Sequence, residues 1–461
     1  MAIIKIIQFL TMIFLDTDIY TNKKNYFFTM LGPRFDPSAY LMAQALEKEF
    51  RKEFIPIFIY AVEPNDFFKK DNYLVLNPKA EAVQKESIDP VVYLQEYEDM
   101  NVDFIESDVI KEISSRLFLK QDVIFIHSFT SSFFDGLDQR FKIIGPEPKV
   151  AKYYDNKINQ YELFKEMSMP VIPGRICNNK NEVRLLVDQV PFYITASYSS
   201  GGHNGKVISC KKDLEVFFSE LAEGNGAGGF LISDVFNNLK LAPNSSAVVT
   251  GPNEVSVLAI TDQILRGKAY LGNVYPSAIN QSQEEQIIKM TVRLGQILSE
   301  KGFRGLFGCD FLINDKDEMV VVDLNPRRQG GYVCNMLVLK YLGVNLANVE
   351  LQCALGRDGF KTKKLDYDLL KPDYCWAHSK VKPYQAGEVI TNEVLKGDLG
   401  EVFHDKEGLY SATFYKKGSL IKDGFVGYVV AKGELNKKAE IVKLVQDTAD
   451  NLLKKCLADH C

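Results

Sequence analysis

The block "GLFGCDFLINDKDEMVVVDLNPRRQGG", residues 305 to 331, constrains the fold more than any other part of this chain. Two apolar runs rich in β-branched and aromatic residues flank the polar turn "NDKDE", which is the pattern of a β-hairpin. A turn centred near Lys316 or Asp317 sets Asp310 and Asp323 roughly opposite each other. The second run then ends in Asp323, Asn325, Arg327 and Arg328, and packing alone gives no reason for such an ending. Two carboxylates and the Asn325 amide oxygen form a hard, all-oxygen donor set. That set suits Mg²⁺, which takes one or two carboxylates and completes its octahedron with water and nucleotide phosphates, with Mn²⁺ as the alternative. Arg327 would stand beside the metal and offer a planar fork to a phosphate or carboxylate.

The rest of the chain is read around this hairpin. At 461 residues it is too long for one core, and about three domains follow from typical domain sizes. From residue 26 short apolar strands alternate with helical stretches ("NYFFTML", "FIPIFIYAV", "DVIFIHS", "FKIIGPEP"), which predicts a parallel sheet with covering helices, Rossmann-like, ending near Pro148. No GxGxxG follows its first strand, so a dinucleotide site is not expected there. The opening 24 residues carry a short apolar run with a weak basic start and no small-residue cleavage site. They read as an extra strand or helix, or an N-terminal extension ahead of the first domain, in a cytoplasmic protein without a membrane span.

Composition excludes several partners. A formal net charge of -5 provides no basic field for nucleic acid or an anionic membrane. Eight cysteines without a CxxC pair and five histidines without metal-ligand spacing argue against a zinc ribbon, a redox motif or a histidine-based metal centre.

Next, "KVAKYYDNKINQYELFKEMSMPVIPGRI" reads as one amphipathic helix stopped by "MPVIPG". The segment "PFYITASYSSGGHNGKVISC" reads as a hairpin around a Gly/Ser turn, and a P-loop is absent because neither GxxxxGK[ST] nor a following helix is present. "GGFLISDVFNN" is a further strand, followed by paired strands and a helix over "SQEEQIIKMTVRLGQILSEKG". After a linker near "GRDGFKTKKLDYDLLKPD", the tail mixes strands with a final helix.

The order "IIGPEPKVAKYYDNK", "MPVIPG", Ser/Gly-rich hairpin, hinge strand and "GLFGCDFLI…MVVVDLNPRRQGG" resembles the ATP-grasp superfamily, and within it carboxylate–amine ligases acting on amino acids or peptides. The resemblance implies an α/β protein with a Rossmann-like pre-ATP-grasp domain (1–148), a two-subdomain ATP-grasp core (149–357) and a small α+β domain (374–461). It implies that Lys157 reaches the nucleotide phosphates and that Gly201 and Gly202 form the turn closing over them. Asp234, on the hinge strand "LISDVF", becomes a partner for ribose or the adenine edge. One departure stands out: where the superfamily usually has a lysine before the glycine turn, this chain has Thr195, which can bond a phosphate without neutralising it. Lys206, on the returning strand, is the candidate replacement.

The same resemblance implies transfer of the ATP γ-phosphate to a carboxylate and attack of an amine on the acyl phosphate, with Asp310, Asp323 and Asn325 on the metal and Arg327 as the catalytic residue. In "AITDQILRGKAYLGNVYPS", Asp262, Gln263, Arg266, Asn273 and Tyr275 gather polar groups. Arg266 or Arg328 would clamp the acceptor carboxylate, and Asp262 would meet an ammonium. Small-molecule acids and amines are the expected partners, and a homo-oligomer is left open. A biotin-carboxylase-like enzyme and an ATP-binding protein without turnover remain the alternatives; no "MKM" biotinyl signature is present.

Overall fold

The computed structural model describes residues 24–60, 64–70, 72–76, 104–199, 204–221, 228–267, 269–357, 365–383, 388–421 and 425–458. The expected element at residues 1–24 lies, but for its last residue, outside them. The chain divides into two compact units, one made of residues up to Pro148 with 330–362 and 372–461, the other of 149–329 with 363–371. Both mix helices and sheets, as the α/β reading anticipates.

In the first unit, strands β1 (Lys24–Met30), β2 (Glu53–Tyr60), β3 (Tyr73–Val75), β4 (Ile124–Ser128) and β5 (Phe141–Ile143) form a parallel sheet in the order β3-β2-β1-β4-β5. Phe27, Phe28 and Met30 are all fully buried although they point to both faces, as a sheet covered on both sides requires. Helix α1 (Asp36–Phe50) buries Ala39, Met42, Ala45 and Leu46 at helical spacing, and α2 (Asp108–Leu117) buries Ile110, Ile113 and Leu117. Strand order reverses between β1 and β4, whose ends are level at Met30 and Ser128. The same unit contains helices Tyr332–Tyr341 and Leu346–Ala354, and antiparallel strands Tyr374–Val381, Gly427–Glu434 and Gly408–Thr413 backed by helix Lys438–Cys456. Among the described residues no helix is long and apolar enough to cross a membrane.

The second unit has two sheets. Strands β6 (Gly174–Cys177), β7 (Phe192–Ala196), β8 (Gly205–Ile208) and β9 (Phe230–Ser233) pair antiparallel in the order β6-β9-β7-β8, over a core that includes Ile194, Ile208, Leu214, Phe217 and Phe230. The larger sheet holds β10 (Leu239–Leu241), β11 (Pro243–Gly251), β12 (Glu254–Arg266), β13 (Ala269–Tyr275), β14 (Gly305–Asn314) and β15 (Met319–Asn325). A helix over Gln281–Glu300 lays Ile287, Leu294 and Leu298 against its apolar face.

Candidate functional site

The hairpin is formed by β14 and β15, with Asp310 directly opposite Asp323 and Gly308 opposite Asn325. Toward the turn the register changes, because Phe311 faces Val321, so Val322 is an extra residue in β15. This bulge has a visible cause. Val321 and Leu324 both enter the core although they are three positions apart, and strict alternation would send one of them out. Inserting one residue keeps both apolar side chains inside and leaves Asp323 on the face of Asp310. That face is closed from the other side by β11, where Asn244 is the pair of Asp310 and donates its amide N–H to the Asp310 Oδ1 atom. The Asn325 Nδ2 atom donates to Asp310 Oδ2 at 3.3 Å.

Lys157 reaches this face from a helix start. The expected single helix after Pro148 is two helices, Pro148–Asp155 and Lys157–Glu166, broken at Asn156. Asn156 adopts extended backbone, and its side-chain oxygen accepts from Ile158 N (2.9 Å) and Asn159 N (3.3 Å), an N-cap that favours restarting the helix here. Lys157 thus becomes the first helical residue. It is 9% exposed, its backbone N–H donates to Ser197 O at 2.7 Å, and its ammonium is hydrogen-bonded to Asp323 Oδ1. Gln160, one turn on, accepts from Leu324 N (3.1 Å) and donates to Leu324 O (2.6 Å), fastening the helix to β15 between Asp323 and Asn325. Arg327 stands at the strand exit, 3.8 Å from the Asp155 carboxylate, and donates to Arg328 O at 3.2 Å.

The electrostatics follow from this crowding. Burial, and then the charge of Asp323, push the Asp310 carboxyl up to about 6, while the Asn244 hydrogen bond and the charges of Lys157 and Arg327 pull the other way. Tyr193 on β7 is raised by burial and then by Asp323, which marks its phenol as part of the same electrostatic neighbourhood. Two carboxylates under one ammonium and one guanidinium hold a cationic ligand or a polyanion bridged by one. Among the described residues no group of three or more His, Cys, Asp or Glu gathers, so any metal here would have two carboxylates and take its remaining oxygens elsewhere.

Asp310, Asp323, Asn325, Lys157 and Arg327 are brought together; the other expected residues are distributed differently. Thr195 is buried and donates to backbone oxygens, 3.3 Å to Asn204 and 3.4 Å to Ala196. Lys206 does not replace the missing lysine. It pairs in register with Ile194, so it shares the opposite face of the hairpin from Thr195, where it forms an ion pair with Glu220 at 3.5 Å. Gly201 and Gly202 lie outside the described residues. Asp234 follows β9 as an exposed residue whose N–H donates to Pro173 O at 2.9 Å. The two carboxylate oxygens of Asp262 accept from Ser277 Oγ (2.5 Å) and Ala278 N (2.6 Å), fastening the chain after β13. Gln263 and Arg266 are half-buried along β12, Gln263 donating its N–H to Ala242 O, and Arg328 is buried after Arg327. The amide of Asn273 donates to Thr261 at 2.9 Å.

Sequence reasoning missed Asn244, Asn156, Gln160 and Gln329. The Gln329 side chain covers Gly308 so closely that a Cβ there would lie 2.0 Å from it, and it accepts from Ser246 at 2.9 Å. Only Asn156 left a signal, an Asn one residue before the key lysine; the others are defined by strand register.

Residues 154–331 match the family model described as an ATP-grasp domain. The chain is 23% identical over 193 residues to the [butirosin acyl-carrier protein]–L-glutamate ligase of Niallia circulans, covering 40% of this chain and 46% of that protein. It is 29% identical over 132 residues to the L-propargylglycine–L-glutamate ligase of Streptantibioticus cattleyicolor, 28% of this chain and 26% of that one. The chain therefore spans less than half the length of these relatives. The crystal structure of a biotin carboxylase complex with β,γ-ATP from Campylobacter jejuni superposes with a TM-score of 0.67 at 15% identity, over 93% of this chain and 94% of that one, a likeness of fold. Residues 154–331 thus match an ATP-grasp domain, and the proteins similar to the chain by sequence include ligases.

Proposed function

We propose that the chain is an ATP-dependent ligase joining a carboxylate to an amine, with release of ADP and phosphate. The observation that carries this reading is the placement of Asp310 opposite Asp323, with the Lys157 ammonium on Asp323 and Arg327 beside them, inside an ATP-grasp domain. The donor set fits Mg²⁺: Asp310 and Asp323, with the Asn325 side-chain oxygen once its amide turns, are hard ligands on one face. Bound there, the metal supplies charge neutralisation at the β and γ phosphates of ATP.

The chain's own residues divide the remaining work. Lys157, at a helix N-terminus with spare ammonium donors, binds phosphate oxygens and keeps Asp323 in place. Arg327 presents guanidinium N–H groups to the γ-phosphoryl group as charge spreads over its oxygens. A substrate carboxylate oxygen forms a bond to γ-phosphorus as the bond to the β-bridging oxygen breaks. The amine then attacks the acyl carbon, phosphate leaves, and the amine loses a proton. Thr195 carries no charge and its hydroxyl donates to backbone oxygens, so Lys157 and Arg327 carry the phosphate charge. ATP as reagent accords with a cytoplasmic location.

The two ligases similar to this chain are named for L-glutamate, so an α-amino acid is the first acid and the first amine to supply. The test is ADP release from the full chain with MgATP and pairs of amino acids, with products identified by mass spectrometry. Release that needs both an acid and an amine supports the reading; AMP and pyrophosphate refute the acyl-phosphate route. The fold likeness to biotin carboxylase supports a second reading, and ADP release dependent on bicarbonate and biotin alone would select it. ATP binding without ADP release in any arm would leave a binding protein.

A further inference from the structure

The small sheet β6–β9 reaches the proposed nucleotide site, because the Lys157 N–H donates to Ser197 O just beyond the end of β7. Neither Thr195 nor Lys206 brings a free donor there. The Thr195 hydroxyl donates to the backbone oxygens of Asn204 and Ala196, and Lys206 lies on the other face of the hairpin, paired with Glu220.

Strand alternation puts a third residue in that position. Phe192, Ile194 and Ala196 enter the core under the small sheet, so Tyr193 projects from the opposite face together with Thr195. Tyr193 is directly opposite Val207, and Thr195 is opposite Gly205, one step nearer the turn on the same face. The half-buried phenol of Tyr193 nevertheless reaches Gly205. A Cβ built on Gly205 would lie 3.0 Å from the ring carbon that bears the hydroxyl, and nearer still to the oxygen. Tyr193 therefore leans along the hairpin toward its turn, and its hydroxyl takes the place that a side chain at 205 would need. The backbone of Gly205 has no positive φ, so this glycine provides room rather than a turn conformation.

The charges around the phenol make it a donor. Burial, and then the charge of Asp323, raise Tyr193 above the ordinary tyrosine range, so it keeps its proton. Among the described residues the hydroxyl donates to no oxygen, that of Asp323 included. Asp323 accepts from the Lys157 ammonium instead. A protonated phenol in the field of a carboxylate that it does not bond has its proton available for a ligand held by Lys157 and Asp323.

We propose that Tyr193 is a nucleotide-binding residue, its hydroxyl donating a hydrogen bond to a phosphate oxygen of ATP across the space left open at Gly205. The proposal rests on the ligase reading only in taking ATP as the ligand. Such a contact adds a directional donor without adding charge, so Tyr193 fixes the orientation of a phosphate whose charge Lys157 and Arg327 balance.

The test is titration of the full wild-type chain, Tyr193→Phe, Gly205→Ala and the double variant, with MgATP by calorimetry and with adenosine by NMR. Tyr193→Phe keeps the ring and loses only the hydroxyl. It is expected to weaken MgATP by about tenfold or more, as for a lost hydrogen bond to a charged group, and adenosine by no more than about twofold. Gly205→Ala is expected to weaken MgATP by about fivefold or more in the wild-type chain, and by no more than about twofold in Tyr193→Phe, where the displaced hydroxyl is already gone. Unchanged MgATP affinity in Tyr193→Phe, equal losses for MgATP and adenosine, or the same Gly205→Ala loss in both backgrounds would each overturn the proposal. Should the variants fail to fold, a crystal of the wild-type chain with magnesium and β,γ-methylene-ATP decides: Tyr193 Oη within hydrogen-bond distance of a phosphate oxygen supports the proposal, and its placement elsewhere refutes it. A wild-type chain that binds MgATP but releases no ADP with any acid and amine would defeat the ligase reading and leave the proposal standing. An active ligase whose MgATP affinity survives Tyr193→Phe would defeat the proposal alone, and a wild-type chain that binds no MgATP would defeat both.

Discussion

At the scale of single residues, Asp310 is the group whose surroundings make the sharpest demand. It is half-buried between Asn244 on β11 and Asp323 on β15, and its carboxyl is raised to about 6 by lost hydration first and by Asp323 second. A raised carboxylate holds its proton at a pH where an ordinary one has lost it, so below about 6 a cation must displace that proton to bind. Affinity for Mg²⁺ in the presence of ATP should be flat between pH 7 and 8 and fall about tenfold per unit below pH 6. In Asp310→Asn the affinity should be weak and nearly independent of pH; a wild-type affinity unchanged from pH 7 to 5 would count against the assignment. Asn244 adds a finer test, because its hydrogen bond lowers the Asp310 carboxyl. Asn244→Ala should move the fall upward by about one to two pH units, the usual range for one lost hydrogen bond to a charged group. Asp310 and Asp323 were legible in the sequence because two carboxylates equidistant from a tight turn face each other. Asn244 was not, since 66 residues separate it from Asp310 and only the register of β11 against β14 joins them.

Elements matter here chiefly through their irregularities. The valine run announces β15, but the bulge at Val322 follows from the need of both Val321 and Leu324 for the core, which appears only once the sheet has a buried side. The break at Asn156 was read through as one helix because tyrosines and lysines continue the amphipathic pattern on both sides. Capping chemistry outweighed periodicity there, and the consequence is functional, since Lys157 points inward only as the first residue of a new helix. Asn156→Ala should cost about 1 kcal/mol in chemical denaturation, the usual loss for an N-cap, and should weaken ATP binding beyond that loss. Asn156→Asp keeps a capping oxygen and should retain both properties; equal ATP affinity in all three proteins would separate the break from the site. The helix Gln281–Glu300 offers a case where local preference and packing disagree. Alanine at Gly295 would gain up to about 1 kcal/mol of helix propensity. Its Cβ would lie 2.5 Å from a methyl of Val255, which packs against the core, and 2.9 Å from the Phe307 ring within it, and overpacking of that kind costs about 1–3 kcal/mol. Gly295→Ala should therefore lower the unfolding midpoint, whereas a raised midpoint would show that Val255 gives way freely.

For the whole molecule, the two compact units contain ionisable groups that couple stability to different reagents. In the first unit Asp36 is buried beneath the Tyr60 hydroxyl and its carboxyl is raised to about 7 by burial, against the pull of Lys70. Because the folded chain prefers the protonated acid, the contribution of Asp36 is complete below about pH 4 and is lost as pH rises through 7. Across that window the loss is on the order of 2–4 kcal/mol. The second unit holds nearly all of the stretch that matches an ATP-grasp domain, and a ligand that binds only the folded state at a hundred times its Kd adds about 2.7 kcal/mol. Scanning calorimetry at pH 5 and pH 8, with and without MgATP, should thus show one transition that weakens as pH rises and another that strengthens with nucleotide. Asp36→Asn cannot ionise, yet it can still accept from Tyr60. It should exceed the wild type only modestly at pH 5 and by much more at pH 8, and leave the response to MgATP unchanged. If Asp36→Asn followed the wild type at both pH values, burial of that carboxyl would not govern the first unit. A single transition that answers to both pH and nucleotide would show that the two units melt as one.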